Sequence, residues 1–154
     1  MRTNFSISLE KIISEFSLEI LNMPSEPEKI AVTTAEVNRP GLHMAGYFEF
    51  FDEKRIQIIG KSEESFILRF TPEKAESRLR EFFSHKPAAV IICRDLQVGE
   101  VYKRIAEEYG VPLLRTSEST SDFTAALIAF LTLSLAPRVT RHGVLVEVYG
   151  EGIL

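Results

Sequence analysis

The chain has one cysteine, no tryptophan and eight glycines in 154 residues. A lone Cys93 cannot close an internal disulfide, so no cystine framework staples the fold. A reduced, cytoplasmic setting is the matching expectation. The glycine motifs that cradle phosphates or expose a nucleophile are also missing: there is no Gly-x-Gly-x-x-Gly, no Walker A loop and no Gly-x-Ser-x-Gly elbow. Gly150-Glu151-Gly152 reads better as a hairpin turn. Neither sign of charge dominates, with 18 basic against 22 acidic residues and a net charge of −4. That balance excludes a strongly basic footprint, so nucleic acid is not an expected partner. The longest uncharged stretch, Phe123 to Pro137, falls short of the ~20 residues a membrane span needs and reads as a buried core helix. The N-terminus lacks the long apolar core of a signal peptide. His43, His85 and His142 have no His or Cys at metal-ligand spacing, so no metal site is expected.

What remains is close to globular average: 45% hydrophobic and 26% charged. The length fits one domain of the usual size. Leu9, Ile12, Ile13 and Phe16 recur at helical spacing, so Ser8 to Phe16 reads as an amphipathic helix. Leu18 to Leu21 and Lys29 to Glu36 read as strands, separated by a loop with two prolines. Asn38-Arg39-Pro40-Gly41 suits a type II turn, with Gly41 at the position needing φ > 0. Tyr47, Phe48, Phe50 and Phe51 follow, either as a core or domain-interface plug or as an exposed patch for a partner.

From residue 55 the pattern is regular. Arg55 to Gly60 reads as a strand, Ser62 to Phe70 as a helix, and Thr71-Pro72 as the cap and first position of another. Ala75, Leu79, Phe82 and Phe83 form the apolar stripe of that helix, and its Lys/Arg residues are offset by Glu73, Glu76 and Glu81. Ala88 to Cys93 is a continuous apolar run, as expected of a strand covered on both faces. This places Cys93 in the core rather than at a reactive site. Val98 to Tyr109 reads as a helix stopped by Gly110. Val111 to Arg115 reads as a strand, its proline marking an edge or a start. Thr116 to Asp122 is rich in cap-forming residues ahead of a helix through Ala136. That cluster either caps the helix or binds an anion there; Glu118 and Asp122 favour capping. Alternating strands and helices imply βαβ units: a three-layer α/β fold with a mostly parallel sheet and helices on both faces.

Past Pro137 come Arg138, Arg141 and His142, a group able to meet a phosphate or simply to keep a linker soluble. Val144 to Gly150 alternates as a strand, and Glu151 to Leu154 starts another, so the chain reads as cut short.

Five segments, in this order, resemble the bacterial HPr kinase/phosphorylase family: Asn38 to Phe48, Arg55 to Gly60, Glu108 to Thr116, Leu135 to Arg138, and His142 to Gly150. The last is the most specific and the first nearly as good. The resemblance implies an N-terminal α/β domain over residues 1–136, similar in fold to the substrate-binding domain of the Mur ligases. It implies a linker at 137–142 and the start of a kinase domain at 143–154. It further implies a cytoplasmic, hexameric enzyme that uses ATP and Mg²⁺ to phosphorylate a serine of HPr and also removes that phosphate, in carbon catabolite regulation. His142 is the one active-site residue the resemblance carries over, orienting or neutralising the reacting phosphate. The family's Gly-x-x-x-x-Gly-Lys-Ser loop, its catalytic aspartate and its magnesium ligands should lie beyond Leu154. On this reading the fragment holds no cofactor and is inactive by itself, and HPr binds through the missing part. The other readings are a stand-alone ligand-sensing or interaction module with the same fold, or an oligomerisation domain.

Overall fold

The structure is a computed structural model that describes residues 5–137. A five-stranded sheet in the order β2-β7-β6-β5-β4 forms its centre. The strands are β2 (Glu19–Asn22), β4 (Val37–Asn38), β5 (Ile56–Ile59), β6 (Ala89–Ile92) and β7 (Leu113–Arg115). The four from β4 to β7 run parallel, and β2 closes one edge antiparallel to β7. A separate two-stranded ribbon pairs β1 (Ile7–Ser8) with β3 (Ala31–Val32).

Because β4, β5, β6 and β7 follow one another across the sheet, crossovers of one hand must all pass over one face. The core shows that arrangement. Helices α2 (Gly41–Met44), α3 (Lys61–Leu68), α4 (Pro72–Ser84) and α5 (Gly99–Tyr109) share a cluster with Ile59, Val90, Ile92 and Leu113. Helices α1 (Leu9–Phe16) and α6 (Thr120–Leu135) share the opposite cluster with Ile56, Ile58, Ala89, Ile91 and Leu114. Alternate side chains of each central strand thus feed opposite layers. Both β5 and β6 are buried along their whole length, which is why they read as near-continuous apolar runs.

The exception in that run is Gln57, wholly buried in β5. Its Oε1 accepts from Asn38 Nδ2 at 2.7 Å, its register partner on β4. Its Nε2 donates to Arg55 O at 3.3 Å. A buried amide without such partners would cost several kcal/mol.

Local chemistry sets the helix ends. Ser8, Thr71 and Ser119 each accept a backbone N–H three residues on, from Lys11, Lys74 and Asp122, capping α1, α4 and α6. Gly110 ends α5 at φ 69°, where a Cβ would be strained. Between α3 and α5, the Tyr102 hydroxyl donates to Glu64 Oε1 at 2.7 Å. On the outer surface, Arg80 of α4 bonds Glu76 and Glu108, and Arg104 reaches Glu76 at 3.2 Å. The charges of α4 are therefore a solvated ion-pair face, as the sequence suggests.

Two local expectations change, and a third is narrowed to one of its alternatives. The segment 29–36 is not one strand: only Ala31–Val32 pairs, and it pairs with β1. Thr34 Oγ1 accepts from Glu36 N at 3.1 Å, and this local turn breaks the run before β4 joins the main sheet. Residues 38–41 form no type II turn, because Pro40 (φ −87°, ψ 25°) leads directly into α2 with Gly41 as its first residue. Pro112 marks a strand start and not an edge, since β7 lies between β2 and β6. The expected linker (apart from Pro137) and the kinase-domain start at 143–154 lie outside the described residues.

Burial raises the Glu64 carboxyl above its ordinary 4.5, with the Tyr102 hydroxyl pulling the other way. A carboxyl whose folded value is raised contributes stability that is full below 4.5 and lost as pH rises through the folded value. Glu64→Gln should therefore flatten this acid-side part of the stability–pH curve measured by urea unfolding. An unchanged slope would contradict the burial argument.

Candidate functional site

In open α/β sheets ligands sit at the carboxyl ends of the parallel strands. Here those ends present Arg39 after β4, Gly60 after β5, Cys93 and Arg94 after β6, and Thr116 after β7. The best-ordered group joins the first two. Glu63, in the first turn of α3, is buried with its side chain 6% exposed, while Arg39 is 43% exposed. Arg39 Nε donates to Glu63 Oε2 at 2.9 Å and its Nη2 to Oε1 at 2.7 Å. The same Oε1 accepts the Gly60 N–H at 2.8 Å. The carboxylate thus caps α3 and holds a bidentate arginine with one side chain.

Gly60 is set by steric demand. Its φ of −119° suits any residue. A Cβ there would overlap Thr120 Oγ1 of α6 and come 3.2 Å from Arg39 Nη2. Four segments therefore meet at one point: the end of β4, the end of β5, and the first turns of α3 and α6. Beside it opens a cleft of about 530 Å³ lined by Arg39, Gly41, Leu42, Ala45, Ser62, Glu63 and Phe66. Its size falls within the usual range of small-ligand pockets. Its chemistry is restrained, because the only carboxylate and the only guanidinium in the lining already satisfy each other.

Among the residues singled out from sequence, Thr120 of the Thr116–Ser121 cluster reaches this junction; the others take different roles. His142 lies outside the described residues. The Thr116–Ser121 cluster caps: Thr116 Oγ1 accepts from Glu118 N at 3.2 Å and Ser119 Oγ from Asp122 N at 3.2 Å. The hollow beside it is ringed by Glu15, Glu118 and Asp122, which would repel an anion. Cys93 is fully buried, and burial pushes its thiol up to about 11, against a partial offset from the Thr120 hydroxyl. A thiol held protonated is a poor nucleophile. Among the described residues no group of three or more His, Cys, Asp or Glu side chains is placed to hold a metal ion.

The aromatic run divides between the two readings. Phe48 and Phe51 pack inward, and Tyr47 and Phe50 stay exposed. The structure also joins two histidines that sequence spacing kept apart. His85 stacks on Phe48 at 4.0 Å between ring centroids, and His43 lies within 5.5 Å of the same ring. His43 Nδ1 is 2.9 Å from the Tyr47 carbonyl oxygen. Gly46, just before, sits at φ 104°, with Arg78 Nη1 so close that a Cβ would overlap it.

These features all lie within one span that matches a known family. Residues 7–131 match the family described as HPr Serine kinase N terminus. The chain belongs to that family. Two HPr kinase/phosphorylases are similar along nearly its whole length: 43% identical in Caldicellulosiruptor bescii and 38% identical in Lachnoclostridium phytofermentans. Each alignment covers 97% of this chain and 48% of the relative, so the chain spans about half the length of the curated relatives it matches. A solved structure shares the fold at 16% identity, with a TM-score of 0.56 over 84% of this chain and 50% of the other. It holds the CBS and DRTGG domains of the regulatory region of Clostridium perfringens pyrophosphatase, complexed with the activator diadenosine tetraphosphate. For an HPr kinase N-terminal domain this likeness speaks to fold alone.

The Arg39–Glu63–Gly60 junction predicts a graded response. Gly60→Ala should cost about 1–3 kcal/mol through overpacking, and Thr120→Ala added to it should recover most of that loss in a double-mutant cycle. Purely additive losses would show that Gly60 and Thr120 are not in steric conflict. Arg39→Ala leaves a buried carboxylate with one remaining donor, and should cost about 3 kcal/mol. Glu63→Gln keeps an acceptor for Gly60 and should cost less; the reverse order in chemical denaturation would contradict the assignment.

Proposed function

We propose that this chain is the N-terminal region of a bifunctional enzyme that phosphorylates and dephosphorylates a serine of HPr. The supporting observation is the family match over residues 7–131, with relatives named HPr kinase/phosphorylase aligned along nearly the whole chain. On this reading residues 1–136 form the N-terminal α/β domain, 137–142 a linker, and 143–154 the first strands of the kinase domain. His142 is the residue that the family resemblance assigns to the opening of that kinase domain, with a role in orienting or neutralising the reacting phosphate. The full-length protein works in the cytoplasm as a homo-oligomer, with HPr as its protein partner, in the control of carbohydrate use.

ATP and Mg²⁺ belong to the kinase domain on this reading. The described residues do not fit them. The one carboxylate at the cleft has both oxygens engaged by Arg39 and Gly60. Phosphoryl transfer depends on loop amides, a lysine and metal ions that position and neutralise the phosphates. No step of that reaction is assigned to residues 5–137. Their part is to form a stable neighbouring domain. No helix among them is long and apolar enough to cross a membrane.

Two assays test this reading. The 154-residue chain incubated with HPr, ATP and Mg²⁺ should leave HPr unphosphorylated; measurable phosphoserine would overturn the proposed inactivity of the fragment. A chimera carrying this chain in place of the matching half of the Caldicellulosiruptor bescii relative should phosphorylate HPr. In it, His142→Ala should lower turnover at least tenfold, about 1.4 kcal/mol in the barrier. A folded but inactive chimera would contradict the functional equivalence, and full activity of the His142 variant would remove its assigned role.

A further inference from the structure

Five of the described residues are glycine, and four of them have a reason in the fold to be so. Gly46, Gly99 and Gly110 sit at positive φ, and a Cβ on Gly60 would overlap Thr120. Gly41 has neither reason. Its φ is not positive, and a Cβ built on it would have no atom within 4 Å. It opens α2, where glycine is a poorer choice than alanine. Gly41 instead lines the cleft beside the Arg39–Glu63 pair, with Leu42, Ala45 and Phe66. A glycine required neither by φ nor by its neighbours leaves room for another molecule to approach the backbone.

The polar end of the cleft also keeps donors that the fold does not spend. Glu63 takes the Nε–H of Arg39 and one N–H of Nη2. A guanidinium carries five N–H groups, and Nη1 bonds to nothing among the described residues. The buried carboxylate grips one edge of the guanidinium and so fixes the direction of the other. The charge of Arg39 is matched, but its outer donors are not. We propose that this cleft binds a small uncharged molecule with a flat apolar body and one carbonyl oxygen, an aromatic amide or ketone. The body lies against Gly41, Leu42, Ala45 and Phe66, and the carbonyl accepts from the outer edge of Arg39.

Charge decides the ligand class. An anion at this guanidinium would sit close to the Glu63 carboxylate that already neutralises it, and a cation would meet the arginine itself. A neutral acceptor gains a hydrogen bond from a charged donor and meets no like charge. The apolar body covers Leu42, which is 67% exposed without it. The cleft, at about 530 Å³, has room for such a molecule. None of these features depends on the kinase reading.

The test is an NMR titration of the 154-residue chain with three probes of nearly one shape: benzamide, benzoate and benzamidinium. Benzamide should shift the backbone amides of Gly41, Ala45 and Ser62 and the Nε–H of Arg39 together. One dissociation constant on the order of millimolar should describe them, as so small a ligand allows. Benzoate and benzamidinium should bind at least about fivefold more weakly, roughly 1 kcal/mol. Gly41→Ala should weaken benzamide by a similar factor, with a melting temperature equal to or above that of wild type. That separates a ligand role from a structural one. Ala45→Phe, which fills the cleft from an exposed position, should abolish the shifts. No shift up to the solubility limit of benzamide, or shifts centred on another part of the chain, would overturn the site. Undiminished binding by Gly41→Ala or by Ala45→Phe would overturn it too. Equal or tighter binding of either charged probe would overturn the ligand class.

Discussion

A single buried carboxylate ties the working edge of this domain together. Glu63 accepts from Arg39 at the end of β4, accepts the amide of Gly60 at the end of β5, and caps α3. A charge held in low dielectric is tolerable only when its lone pairs are occupied by good donors. That requirement fixes where the β4–α2 connection leaves the sheet and the direction in which α3 starts. Gly60 then lets the first turn of α6 approach from the other layer. The two helical layers, otherwise separated by the sheet, are referenced to each other at this point.

The same junction explains the modest chemistry of the cleft beside it. An arginine at a strand end next to a helix N-terminus resembles an anion site in outline. Here its charge is already matched, in bidentate geometry, by a buried partner. The remaining candidates are similarly spent: the hydroxyls near α6 on capping, the Cys93 thiol on the core, the two described histidines on ring stacking. At these positions the described side chains are engaged in ion pairing, capping and packing.

Much of this fold is legible in the chain. Alternation of apolar runs with 3.6-residue stripes gives the parallel sheet, and Ser8, Thr71, Pro72 and Gly110 mark their helix ends by local chemistry that needs no tertiary context. Reading failed where tertiary contacts outrank local preference. Pro40-Gly41 has turn composition, but the sheet end at Asn38 leads straight into α2. Residues 29–36 have strand composition, but only Ala31–Val32 pairs, and a threonine turn separates it from β4 in the main sheet. The site was less legible still. Glu63 carries only a weak local signal: it stands at the capping-box spacing three residues after Gly60, but Gly60 has no capping side chain of its own. Its arginine partner, 24 positions upstream, has no local signal, and neither has the meeting of His43 and His85 on one phenylalanine.

The junction can be tested without altering it, through the exchange rate of the Gly60 amide in the intact chain, followed by NMR in deuterated buffer. A loop N–H at a strand end would ordinarily exchange through local fluctuation, well ahead of the sheet core. If Glu63 holds it as described, the Gly60 amide should exchange as slowly as those of β5 and β6, only through global unfolding. Exchange within the dead time of the experiment, with the β5 and β6 amides still protected, would show that the carboxylate does not organise this edge of the sheet.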